Sequence, residues 1–201
     1  MWAVALAMFV LQGSWLIAGG SVGMYTTAGL LACAGVVVTF GRIGWVNAIA
    51  RVVFALLFAG SVADRFGWLG GPGADGVSWG NYTAFVDYTA SLLPVDGLAS
   101  AAALAATVVE CALVIVLTVG QLSGRVTRWA DLVAAATFTV FAVAMWTSVG
   151  FAEMQSYGVL VYAATAATLA APARGVPWRT RQPRGRSAVV GTSGAGIQAP
   201  V

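Results

Sequence analysis

From Leu98 to Gly120 the chain runs through 23 residues with a single charge, Glu110. At a rise of about 1.5 Å per residue, such a run makes a helix that crosses the roughly 30 Å hydrocarbon core of a bilayer. A charge at the centre of such a helix costs about 2.5–3.5 kcal/mol on insertion scales. Glu110 therefore needs a partner, a proton or a polar cavity, and whatever supplies it shapes the fold around it.

The rest of the chain is of the same kind. Met1 to Gly41 has no charged side chain, and GGSVG at 19–23 divides it into two runs, 2–18 and 22–40. Further apolar runs cover 44–62, 98–120, 130–150 and 153–172. Charged residues make up only 8% of the sequence, against about a quarter in soluble domains. The expected fold is an all-α transmembrane bundle of about six spans. An N-terminal hairpin occupies 1–41, a four-helix core with a long outer loop (63–97) occupies 42–172, and an arginine-rich tail occupies 173–201.

Arginine placement orients this bundle. Arg42, the pair Arg125 and Arg128, and the tail arginines all fall on one side of a six-span chain. The other side has Arg65 against Asp64, Asp75, Asp87 and Asp96. The positive-inside rule then predicts cytoplasmic N- and C-termini. The net charge of +3 marks orientation and not a nucleic-acid partner; the expected surroundings are lipid.

The outer loop is too aromatic to be a plain connection. Trp79, Tyr82, Val86, Ala90 and Leu93 recur at three- and four-residue spacing with Phe85 alongside, which predicts a short interfacial helix over about 79–92. Ser78 or Asn81 suits its cap and Pro94 its end. Trp79, Tyr82, Phe85 and Tyr88 are the ligand-facing candidates if this helix is a lid; a simple aromatic membrane belt is the alternative. Asp64 and Arg65, which end the third run, are placed to meet it.

Arg51 lies in the third run at a depth similar to that of Glu110 in the fourth, and these runs are joined through the outer loop. A buried Arg51–Glu110 pair is the expected result. It serves either as a ligand-binding polar site or as a purely structural contact. Asp131 and Glu153 fall at span ends, where water can reach them, and Cys33 and Cys111 read as free thiols. With no His in the chain, the usual metal ligand and neutral-pH base are missing. No metal site and no catalytic set is expected, which argues against a self-contained enzyme.

RVVFALLFAG (51–60), YTAFVDYTASLLP (82–94), VVECALVIVLTVG (108–120) and GRVTRWADLVAAATFTVFA (124–142) together resemble the DoxX/DoxD-like family of small bacterial membrane proteins. The resemblance covers about 51–171. It departs from the family pattern after Gly60, and the first forty residues have no counterpart in that pattern. It implies a DoxX-like four-helix core in the bacterial inner membrane. It also implies a role beside a redox protein partner in a quinone-linked system, with Arg51, Glu110 and the 82–94 segment as the positions carried over. The residues themselves leave two further readings open: a protein that binds or transports a small hydrophobic molecule, and a membrane scaffold. A lipid isomerase fits least well.

Overall fold

The computed structural model describes residues 1–93, 97–120 and 123–171. Within them the chain forms eight helices and no strand. These are α1 (Trp2–Ile17), α2 (Met24–Val38), α3 (Gly44–Arg65), α4 (Tyr82–Leu92), α5 (Ala99–Val119), α6 (Gly124–Ser148), α7 (Phe151–Ser156) and α8 (Val159–Ala170). Pro94 and the tail from 173 lie outside the described residues.

Three helices, α3, α5 and α6, are long and apolar enough to cross a membrane. They have 22, 21 and 25 residues, about 31–38 Å of helix. The other apolar helices are shorter: α1 has 16 residues, α2 15 and α8 12. The run at 153–172 is interrupted where Gly158 takes a left-handed conformation (φ 66°), which separates α7 from α8.

Helix α8 lies at the centre, packing on α6 and also on α1 and α2, while α3 packs on α5 and α2. The core between them is aromatic. Phe58 stacks on Phe138 with ring centroids 4.6 Å apart, and Phe54 and Tyr162 close around the same ring at 5.3 and 5.4 Å. Offset and edge contacts of this kind add about 0.5–1.5 kcal/mol per pair beyond simple burial. The Tyr162 hydroxyl donates to the carbonyl oxygen of Thr26 at 3.1 Å, across to α2. Gly29 makes that contact possible, since a Cβ there would stand 2.4 Å from the Tyr162 hydroxyl.

One helix boundary has a large consequence. Hydropathy alone begins the fifth run near 130, after Arg125 and Arg128, but α6 begins at Gly124. The two arginines occupy its first turn, and Asp131 falls two turns inside the helix. It is 1% exposed, so the expected water-accessible position at a span end is corrected. Glu153 is exposed, as anticipated.

Candidate functional site

The third helix carries two arginines, each on a different carboxylate. Arg51 is held by Asp131 of α6: Nε donates to Oδ1 at 2.9 Å and Nη2 to Oδ2 at 2.8 Å, a side-on two-point contact. Arg65, the last residue of α3, donates through Nη2 to Oε1 of Glu110 on α5. The expected Arg51–Glu110 pair is therefore corrected: both residues are ion-paired, but with other partners.

The reason is a stagger between helices. Arg65 closes α3, yet it meets Thr107 and Glu110, which lie in the middle part of α5. The C-terminal end of α3 thus lies against the middle of α5. Arg51 lies fourteen residues earlier on the same helix, about 21 Å away by helical rise, beyond the reach of any side chain. Its level is met by Asp131, which stands as many residues into α6 as Arg51 stands into α3. Depth estimated from the ends of apolar runs assumes that helices start level, and these do not.

Arg65 and Glu110 are both fully buried, at 0% exposure. Around the guanidinium, Nη1 donates to Thr107 Oγ1 at 3.1 Å and Nη2 also reaches Ser61 Oγ at 3.1 Å. Above it, the Phe85 ring lies 3.8 Å away and the Trp79 ring 5.4 Å, both as cation–π contacts. A desolvated contact of this type is worth about 2 kcal/mol. Among the described residues, two polar atoms of the cluster have no hydrogen-bond partner: Arg65 Nε, a donor, and Glu110 Oε2, an acceptor. Buried groups of this kind rarely stay unsatisfied in a finished site.

Asp64 builds the roof. Its carboxylate accepts the backbone N–H groups of Ser78 and Trp79 through Oδ2, at 3.0 and 3.3 Å, and that of Gly80 through Oδ1, at 3.1 Å. Gly80 has φ +67°, and a Cβ there would lie 2.3 Å from the Pro72 backbone nitrogen, so only glycine fits this turn. The next residue, Asn81, caps α4 by accepting from the Ala84 N–H at 2.8 Å. At the far end of α4, the Tyr88 hydroxyl hydrogen-bonds Ser148 Oγ of α6 at 2.9 Å. Asp64→Ala removes the carboxylate from three N–H groups. We expect a loss of about 1–3 kcal/mol, seen as faster amide exchange at residues 78–80 with exchange in α5 and α6 unchanged.

The short helix in the outer loop begins at Tyr82, three residues later than the spacing predicts. The centre of its buried face is Phe85, at 5% exposure, flanked by half-buried Tyr82, Tyr88, Thr89 and Leu92, whereas Ala90 faces outward. Of the sequence-derived candidates, Glu110, Trp79 and Phe85 meet at Arg65, Tyr82 lines the crevice described next, and Tyr88 pins the helix. Arg51 is not with them. Asp64, Arg65 and Thr107 are the site residues that sequence reasoning did not select. The adjacent acid–base pair ending an apolar run next to an aromatic loop was the available signal.

An open crevice of about 440 Å³ lies between the end of α3, α4 and the first half of α5, lined by Phe66, Tyr82, Ser100, Leu104 and Thr107. Its walls are mostly apolar; Ser100 and Thr107 are the polar side chains, and the Thr107 hydroxyl is in the Arg65 cluster. Among the described residues no group of His, Cys, Asp or Glu gathers as metal ligands, and Cys33 and Cys111 are free thiols, the first buried and the second exposed. No protein-family pattern, characterised protein or solved structure matches this chain.

Proposed function

We propose that the protein is an integral membrane binding protein for a small lipophilic molecule with a hydrogen-bonding head group. The molecule enters the crevice between α4 and α5, and its head is read by Arg65, Thr107 and Glu110. One observation carries this reading: a fully buried charge cluster retains one unsatisfied donor and one unsatisfied acceptor close to an apolar crevice. A ligand carbonyl accepts from Arg65 Nε, and a ligand hydroxyl donates to Glu110 Oε2. Mostly apolar walls with a few converging polar groups are the usual makeup of small-molecule sites.

The reduced form of a quinone meets both demands, since a hydroxyl can accept from Arg65 Nε and donate to Glu110 Oε2, and the oxidised form, with carbonyls alone, meets the first. This supports a second reading, in which the chain is the membrane subunit of a quinone-linked redox system. Electrons would then come from a protein partner, and the chain's own residues would bind and orient the ring. The relation to the DoxX/DoxD-like family belongs to this proposal and is supported by the motifs quoted above. So does the six-span arrangement, with α1 and α2 as a hairpin and α7 with α8 as one broken crossing. Both termini then face the cytoplasm of a bacterial cell, supported by the arginines at the α2–α3 and α5–α6 turns.

The test is saturable quenching of tryptophan fluorescence by a short-chain benzoquinone, with the protein in lipid nanodiscs. Leu104 is 58% exposed, so Leu104→Trp fills the crevice without disturbing the core. We expect saturable quenching in the unaltered protein and its loss in this variant. Saturable quenching in both moves the site elsewhere. Saturable quenching in neither removes the quinone class.

A further inference from the structure

We infer that a second, separate groove, between α5 and α6, holds one acyl chain of an anionic phospholipid, with the phosphate on Arg125 and Arg128. The groove has a volume of about 370 Å³ and is lined by apolar residues, among them Val109 and Val116 of α5 and Val126, Trp129 and Val133 of α6. It lies in the half of α5 nearest the arginine-bearing turn and in the first third of α6. It is therefore on the opposite half of the molecule from the crevice under α4.

From Val109 to Val116 the groove runs about 10 Å along α5. An apolar furrow of that length takes a stretch of hydrocarbon chain, and the charge at its end decides in favour of a lipid.

Charge selects the head group. Arg125 and Arg128 occupy the first turn of α6, next in sequence to the groove residues Val126 and Trp129. Both are exposed, and neither has an ion-pair partner among the described residues. Arg42 stands at the same end of the bundle, in the α2–α3 turn. The described acids in that half, Asp131 and Glu110, are buried and held by Arg51 and Arg65, so neither cancels the positive field of the exposed arginines. Trp129 is 65% exposed beside the groove, where an indole suits the headgroup layer. An anionic phosphate with an apolar tail complements both parts.

This inference uses the membrane setting but not the crevice under α4, so either can fail without the other. The experiment is native mass spectrometry of the purified protein equilibrated with equal amounts of phosphatidylglycerol and phosphatidylcholine. We expect one phosphatidylglycerol to be retained in preference. Arg125→Gln with Arg128→Gln lowers that retention roughly thirtyfold, the worth of two arginines at an anionic surface. Arg42 and the tail arginines keep the orientation signal in this variant. Val133→Trp fills the groove with the charges intact and abolishes the adduct; Ala112→Phe, at an exposed groove position, repeats the test if that protein does not fold. Equal retention of the two lipids, or retention unchanged in the filled-groove variants, overturns the inference. So does a lipid-free dimer that these variants turn into monomers, which makes the groove an interface between copies.

Discussion

Replacing Glu110 with leucine destabilises the protein more than replacing Arg65 with leucine, although the two lose the same ion pair. Removing one member of a buried pair costs about 3–5 kcal/mol because the other charge is left uncompensated. A stranded carboxylate can take up a proton and become neutral, whereas a guanidinium stays charged at any accessible pH. In the Glu110→Leu variant the Arg65 charge keeps its contact with the Phe85 ring, which Arg65→Leu loses, and this narrows the difference between the two by about 2 kcal/mol. The Arg65→Leu, Glu110→Leu double variant recovers most of the loss, since an apolar pair in a buried site is close to neutral in cost. Unfolding titrations in mixed micelles measure all three. The same cycle on Arg51 and Glu110 is expected to show additivity, because about 21 Å of helix separates Arg51 from Arg65. A coupling above about 0.5 kcal/mol between Arg51 and Glu110 contradicts the helix stagger described above.

Asp131→Ala has the second-largest expected effect, again about 3–5 kcal/mol. It leaves Arg51 without either oxygen of its two-point contact. Its side chain is 14% exposed, so part of the charge can turn toward the nearby membrane surface, which places the expected cost at the lower end. The test also separates the two pairs. Asp131→Ala should leave quinone quenching in the α4–α5 crevice intact in whatever fraction remains folded, whereas Arg65→Leu, which takes away the donor that faces a quinone carbonyl, should remove it. Equal loss of quenching in both variants makes the two pairs one coupled structure and denies the outer pair a ligand role of its own.

Both expectations turn on which carboxylate each arginine meets. Hydropathy located Glu110 and Arg51 as buried charges and located the aromatic cap. Paired by depth alone, Glu110 goes with Arg51, and that pairing is wrong because partner choice depends on two quantities absent from a linear pattern. One is the axial offset of neighbouring helices, which brings the end of α3 level with the middle of α5. The other is the true start of α6, which lies six residues before the apolar run begins and carries Asp131 into the interior. Arginines in a first helical turn look like a loop to a hydropathy window. They are part of the helix because their long side chains can leave it for the polar layer.

The cap helix shows the same division. Aromatic spacing placed it to within three residues, and the choice between Ser78 and Asn81 as its cap falls to Asn81 because only its side chain reaches the Ala84 N–H. The identity of its central side chain, Phe85 rather than the Trp79–Tyr82–Val86 stripe, depends on where Arg65 projects. Asp64 ends the third run where it can meet this segment, as expected; that it gathers three backbone N–H groups depends on the glycine turn at 80, which folds back over it.

The sequence by itself determined that this chain is helical, that it is apolar enough for a membrane, and that its few interior charges must find partners. Those outcomes follow from transfer free energies, which act residue by residue and need no knowledge of neighbours. Only the tertiary structure decided that the described residues form two ion pairs and not one, that the Arg65–Glu110 pair sits under an aromatic roof, and that a crevice opens close to it. Those depend on helix offset and rotation, which are set by side-chain packing across the bundle, above all by the ring contacts of Phe54, Phe58, Phe138 and Tyr162.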